Sequence, residues 1–284
     1  MSRIVYVNGS YVPEEEAKIS VFDRGFLFAD GVYEVTSVLE GKLIDFPGHL
    51  ARLRRSLAEL ALPSPATDAE IEAMHRELMA RNALTEGMIY MQVSRGAAER
   101  DFAYPDEPVP SLVAFTQAKA IAGSPAARTG IKVVTVPDIR WARRDIKTVQ
   151  LLAPSMCKMM AKEAGADDAW MVEDGIVTEG TSNNAHIVRR DGTIVTRDLS
   201  HAILHGITRA AVLAFAREAQ MRVEERPFTV EEARDAAEAF VTSASSFVTP
   251  VVAIDGHPVG DGRPGPVAAR LREIYVAESL RRAS

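Results

Sequence analysis

Lysine is scarce in this chain, and one lysine stands where an amine can do chemistry. Only seven of the 33 basic residues are lysines, at positions 18, 42, 119, 132, 147, 158 and 162. The remaining basic residues, all arginine, are read as surface charge, so each lysine asks for a reason. Lys147 follows the basic run RWARRD and opens an apolar segment within DIKTVQLL (145–152). A primary amine beside apolar neighbours can shed its proton and become a nucleophile, which a guanidinium cannot do at ordinary pH. The competing reading is a lysine at a strand end with its head in water.

Four other features have types that suit the same site. Gly206-Ile207-Thr208-Arg209 opens a helix after AILHG, read as an apolar strand-like turn. Backbone amides and a hydroxyl at a helix N-terminus bind anions, although an ordinary N-cap by Thr208 uses the same residues. TSASS (242–246) gathers small hydroxyl residues behind a strand; it either cradles phosphate oxygens or makes a turn. Arg52 lies off the apolar seam of its helix, where a guanidinium fork either clamps a phosphate or is solvated. Glu179, in VTEGTSNNAHIV, ends a hairpin strand beside Gly180. A carboxylate there can accept from a protonated ring nitrogen, or merely decorate the turn. A Schiff-base lysine, a phosphate cradle and a carboxylate for a pyridinium are the groups that pyridoxal phosphate requires.

The elements that must position these residues form two blocks. MSRIVYVNGSYV reads as a hairpin turning at Asn8-Gly9, and GVYEVTSVLEGKLIDF (31–46) as a second one around Gly41. Leu50, Leu53, Leu57 and Leu60 have helical spacing, and the box Thr67–Glu70 starts another helix. Strands are expected around Met88–Ser94 and Ser111–Gln117, separated by the polar loop RGAAERDFAYPDEPVP. KAIAGSPAAR (119–128) is the linker candidate, so the chain is divided into an N-terminal domain, 1–118, and a C-terminal domain, 129–284, with a cofactor between them. Past the linker, IKVVTV is a strand and APSMCKMMAKEAGA a helix. WMVEDGIVTEG, HIVRRDGTIVT and VVAIDGHPV each carry Asp-Gly between apolar runs. ITRAAVLAFAREAQ and TVEEARDAAEAF are read as helices. The pattern predicts a two-domain α+β protein rather than a doubly wound one.

Composition narrows the class. The chain has 284 residues, 47% hydrophobic and 25% charged, with a net charge of −6. An acidic balance argues against nucleic acid or an anionic membrane as partner, and no apolar run has the length of a membrane span. The N-terminus lacks a signal peptide's apolar core, and the single cysteine, Cys157, fits a reducing compartment, so a cytoplasmic enzyme or binding protein is expected. No GxGxxG, P-loop, HExxH or CxxC motif occurs, and the six histidines show no convincing metal-ligand spacing, so no metal is expected.

In order and spacing, FDRGFLFADGVYE, HLARL, QVSRG, DIRWARRDIKTVQLL, VTEGTSNNAHIV, LHGITR and FVTSASSFVTP resemble the fold-type IV pyridoxal-phosphate enzymes, in particular the bacterial D-amino-acid (D-alanine) aminotransferases. The resemblance runs from the first hairpin to about Ile274. It implies that Lys147 carries pyridoxal 5'-phosphate as a Schiff base and shuttles the proton, and that Glu179 partners the pyridine nitrogen. It implies that Arg52, Ile207, Thr208, Ser243 and Ala244 hold the phosphate, that Leu204 packs on the ring and that Ser182 lies near the cofactor. Tyr33 and Arg100 match the family's trap for the carboxylate of a D-amino acid, with a 2-oxo acid such as 2-oxoglutarate as acceptor. The family also implies a homodimer whose loop around Arg100 completes the neighbour's site. Two positions depart from the pattern: Phe102 stands where the trap has a histidine, and Ala244 where the phosphate cradle has a threonine. Branched-chain L-aminotransferases and aminodeoxychorismate lyases share the same core, and a non-catalytic phosphate-binding module is the reading from another class.

Overall fold

A computed structural model describes residues 2–283. Strands β1 (Ile4–Val7) and β2 (Ser10–Pro13) form the hairpin at Asn8-Gly9, where both turn residues have positive φ. Then come α1 (Arg24–Phe28), β3 (Gly31–Leu39), β4 (Lys42–Leu43), α2 (Phe46–Glu59), α3 (Asp68–Arg81), β5 (Gly87–Ser94) and β6 (Ser111–Ala118). The six strands make one antiparallel sheet in the order β2-β1-β6-β5-β3-β4. Period two decides its faces. Val32, Glu34, Thr36 and Val38 of β3 are buried on the face that packs α2 and α3, with Leu50, Leu53, Leu57, Ile71 and Leu78. Tyr33 and Val35 point the other way, towards Gln92 and Tyr90, their cross-strand partners on β5.

The chain divides into two compact units. The first runs to Ala120 and includes Ile146–Gln150; the second comprises Ile121–Asp145 and Leu151–Arg281. The second contains α4 (Pro125–Thr129), β7 (Ile131–Pro137), α5 (Leu152–Glu163), β8 (Asp168–Glu173), β9 (Ile176–Gly180), β10 (Asn184–Val188), β11 (Ile194–Thr196), α6 (Ile207–Glu218), β12 (Val223–Glu225), α7 (Val230–Arg234), β13 (Glu238–Ser243), β14 (Phe247–Ile254), β15 (His257–Pro258) and α8 (Pro266–Arg282). Its nine-stranded mixed sheet runs β12-β11-β10-β13-β14-β7-β8-β9, with β15 paired to β14. The Asp-Gly pairs at 174–175, 191–192 and 255–256 turn three of its hairpins, as their residue types dictate. Cys157 is buried beside Val136, Ala161 and Met171, as core filler. The α+β expectation holds.

Three expectations need correction. TVEEARDAAEAF is helical only over Val230–Arg234, because Glu238–Ser243 pairs with β10 on one side and β14 on the other. A central strand's two ladders override helix propensity. AILHG is turn and coil rather than strand. The arginines are not all surface charge: Arg24, Arg52, Arg95, Arg144 and Arg209 are buried, each in contact with a carboxylate.

One buried base gives the first unit a pH dependence. His75 donates Nδ1–H to the Ile71 carbonyl at 2.8 Å and meets Phe46 edge-on, while its Nε2 has no hydrogen-bond partner among the described residues. Burial lowers its pKa from 6.5 to about 4. Between those values the unfolded chain binds a proton that the folded one refuses, so stability falls as the pH drops from 6.5 towards 4. The effect is on the order of 3 kcal/mol at ~1.4 kcal/mol per unit. In urea titrations His75→Gln should flatten this acid limb; an unchanged slope counts against it.

Candidate active site

Lys147 has no regular secondary structure of its own, and the start of β3 supplies one. β4 pairs only with Val38 and Leu39, which leaves the edge at Gly31–Tyr33 open. An open strand edge takes a partner. Tyr33 N donates to Lys147 O at 3.0 Å, Val149 N donates to Gly31 O at 3.1 Å, and Thr148 bridges Val32. Ile146, buried among the first unit's core residues, anchors the segment from below. The half-buried Lys147 lays Nζ 4.1 Å from the centre of the Tyr33 ring. That ring stacks on Tyr90 at 5.4 Å, and Tyr90 on Phe115 at 4.9 Å, so the amine lies on an aromatic wall.

Arg52 is buried and forked onto Glu34, with Nε to Oε1 at 2.8 Å and Nη2 to Oε2 at 2.7 Å. His49 Nδ1 meets the same carboxylate at 2.7 Å. Burial pushes the Glu34 carboxyl up, but the Arg52 charge and its bonds, with His49, bring it down to about 2. Glu34 therefore orients the guanidinium predicted to hold a phosphate.

In the second unit, Glu179 at the end of β9 is buried and accepts from three groups. These are Arg140 Nη1, Asn184 Nδ2 at 2.9 Å and the Leu204 amide at 3.1 Å. Arg140 also forks onto Asp138, with Nε to Oδ1 at 3.0 Å and Nη2 to Oδ2 at 2.7 Å. Arg140 thus serves two carboxylates, and Arg144 meets Asp138 at 3.4 Å as well as Glu173 at 2.8 Å, so two guanidiniums face three carboxylates. Burial raises the Glu179 carboxyl above the usual range, against the pull of the Arg140 charge. For Asp138 the Arg140 bonds and the Thr178 hydroxyl outweigh burial and lower it.

Asn184 and Leu204 link the same carboxylate to the segments expected to cradle a phosphate. Asn184 bonds Leu204 O at 2.9 Å as well as Glu179. A Cβ at Gly206 would lie 2.0 Å from Asn184 Oδ1, so only glycine fits this N-cap. Gly206 has no side chain to satisfy the first amides of α6, Ile207 and Thr208, which point outward from the helix. Asn184 pairs with Thr242 across β10 and β13, next to Ser243, whose hydroxyl lies 3.2 Å from Ser245 and 2.8 Å from Ser246. Ala244 is half-buried in that turn, and Ser182 is exposed in the β9–β10 turn, which Thr181 and Asn183 staple to Asp168. Arg100 is exposed, its guanidinium over the Phe28 and Phe102 rings at 5.4 and 5.7 Å. It shares no hydrogen bond or ring contact with Tyr33 among the described residues. No group of three or more His, Cys, Asp or Glu among the described residues can hold a metal ion, and no helix there is long and apolar enough to cross a membrane.

The family description "Amino-transferase class IV" matches residues 31–254, which hold Tyr33, Arg52, Lys147, Glu179 and the cradle. The chain belongs to the class IV aminotransferases. A D-alanine aminotransferase of Staphylococcus aureus (strain MSSA476) is 38% identical over 272 residues, covering 95% of this chain and 96% of the relative. Another, of Bacillus licheniformis, is 37% identical, with 94% of each chain covered. Among solved structures, a T.th. branched-chain amino acid aminotransferase complexed with N-(5'-phosphopyridoxyl)-L-glutamate superposes with TM-score 0.90 at 29% identity, covering 99% of this chain and 95% of that one. The Escherichia coli branched-chain amino acid aminotransferase reaches 0.92 at 24% identity, covering 98% and 94%, and shows the shared fold.

This class IV aminotransferase surrounds the expected residues with others that the sequence did not single out. Glu34 and His49 around Arg52, and Asp138, Arg140 and Asn184 around Glu179, are such residues. Glu34 carried a signal, a charge at a core-facing position of an alternating strand. Arg140 carried none, since it sat in a basic run that reads as solvated.

Proposed function

We propose that this aminotransferase uses pyridoxal 5'-phosphate, bound through Lys147, to transaminate D-amino acids of the D-alanine kind with 2-oxoglutarate or another 2-oxo acid. The observation that carries the chemistry is Glu179, a buried carboxylate with a shared counterion, which matches a protonated ring nitrogen. Each unit carries groups that fit the cofactor: in the first an amine on an aromatic wall, in the second a carboxylate, a glycine-capped helix start and a hydroxyl turn. The complex of the T.th. enzyme with a phosphopyridoxyl ligand supports it. Bound there, the cofactor supplies an electron sink for the pair left behind when the α-proton departs. Lys147 Nζ takes that proton from the amino acid and later redelivers it. Glu179 holds a proton on the ring nitrogen. Arg52, the Ile207 and Thr208 amides, the Thr208 hydroxyl, Ser243 and the Ala244 backbone would hold the phosphate, and Leu204 and Ser182 would line the cofactor.

The handedness rests on the D-alanine relatives and on Tyr33 with Arg100, a hydroxyl and a guanidinium able to bind one carboxylate. A carboxylate held on their side turns the α-hydrogen of a D-amino acid towards Lys147. Phe102 adds no hydrogen bond there, so D-specificity comes with looser carboxylate binding. Exposed Phe22, Phe26, Phe102 and Val109 near this loop support a homodimer in which it serves the neighbouring site. The second reading, a branched-chain L-aminotransferase, is favoured by the superposition on the T.th. enzyme. Coupled assays with D- and L-amino acids decide between them, and activity on L-leucine above that on every D-amino acid overturns the D reading. Within the D reading, Arg100→Ala should raise KM for D-alanine at least about tenfold, the scale of one lost charged hydrogen bond.

A further inference from the structure

The loop that carries Arg100 hangs on a buried charge cluster of the first unit. Arg24 and Arg95 are both buried and share one carboxylate, Asp30, through Arg24 Nε at 2.7 Å and Arg95 Nε at 2.8 Å. Two cations on one anion leave a positive charge that backbone oxygens and aromatic ring faces meet. Arg95 turns its other nitrogens to Ala61 O at 3.0 Å and Leu60 O at 2.8 Å, and lies 3.5 Å from the centre of the Tyr104 ring. Arg24 turns its own to three successive carbonyls beside Arg100: Asp101 at 2.5 Å, Ala103 at 3.1 Å and Phe102 at 3.5 Å.

Both ends of the same loop are tied to residues 22–24 at the start of α1. Arg24 N donates to Gly96 O at 2.9 Å, Ala98 N donates to Phe22 O at 3.2 Å, and Asp23 Oδ2 accepts from Ser111 Oγ at 2.7 Å. A Cβ at Gly96, where φ is +86°, would lie 1.8 Å from Val109 O, so the two arms of the loop close against each other. A buried guanidinium stripped of its acceptors is costly, so its bonds to the carbonyls of 101–103 keep that segment seated.

We infer that Arg24, braced by Asp30, is the positioning residue that sets where Arg100 presents its guanidinium, and so tunes affinity for the substrate carboxylate without touching it. This rests on the reading of Arg100 as the carboxylate partner. Lysine at position 24 keeps the charge but, as a compact ammonium, cannot fork onto Asp30 and three carbonyls together.

Arg24→Lys should therefore speed hydrogen exchange of the 99–104 amides. It should also raise KM for the amino acid about tenfold with kcat within about threefold, since a small misplacement of a binding group acts on affinity. In an Arg100→Ala background the same substitution should add nothing to KM, the non-additivity of residues acting through one another. Unchanged exchange, or an equal KM rise in both backgrounds, overturns the inference and leaves Arg100 its role. An Arg100→Ala variant with wild-type KM instead removes the carboxylate reading, and the inference about substrate falls with it.

Discussion

Lys147→Ala should abolish transamination, with turnover reduced by about 10⁴, because on the proposed reading it removes a covalent anchor and a proton carrier in one step. Positioned general bases alone contribute about 10²–10⁴. The substitution should leave the fold in place. Nζ lies against the Tyr33 ring, and the segment is held by backbone bonds of Tyr33 and Val149 and by buried Ile146, none of which involves the amine. Lys147→Arg keeps a cation at the same place but cannot give up its proton, so it should be as inactive as the alanine variant. Steady-state rates with circular dichroism as the control for folding measure this. Borohydride reduction of the wild-type holoenzyme, followed by peptide mass analysis, should put the label on Lys147. Label on any of the other six lysines, or a variant keeping more than about a hundredth of the rate, would falsify the assignment.

Glu179→Gln should lower the rate about a hundredfold, the cost of one catalytic charge in a dry site at ~1.4 kcal/mol per tenfold. The argument starts from the shared guanidinium. Arg140 stands between Glu179 and Asp138, to which it is forked at 3.0 and 2.7 Å, and Arg144, the other guanidinium on Asp138, has Glu173 as a second partner, so two carboxylates remain for two guanidiniums. Removing the Glu179 charge therefore leaves no orphaned cation. It removes only the surplus negative charge that the ring nitrogen would use. The amide oxygen of Gln can still accept from the Leu204 amide, so the Leu204 turn should hold its place. The expected result is a folded protein that binds the cofactor and reacts slowly. A Glu179→Gln enzyme within about threefold of wild type would mean that the carboxylate does not face the ring.

What the sequence by itself determined about this protein is what local chemistry determines. Asn8-Gly9 and the three Asp-Gly pairs turn their hairpins because those residues tolerate positive φ. The leucine spacing of α2 and the Thr67–Glu70 box of α3 mark helices for similarly local reasons. The rarity of lysine drew attention to Lys147, and the ordered motifs named the family. Tertiary structure decided the rest, because the partners are far apart along the chain. Glu238–Ser243 became a strand when β10 and β14 offered it ladders on both sides. Ile146–Gln150 joined the first unit because β3 left an edge open there and its core had room for Ile146. Arg24, Arg95 and Arg140 read in one dimension as surface charge, and Arg52 as either a clamp or a solvated group. Asp30 lies 6 residues from Arg24 and 65 from Arg95, Glu34 lies 18 from Arg52, and Glu179 lies 39 from Arg140, beyond its near neighbour Asp138; a buried guanidinium is stable only once folding has brought such partners to it.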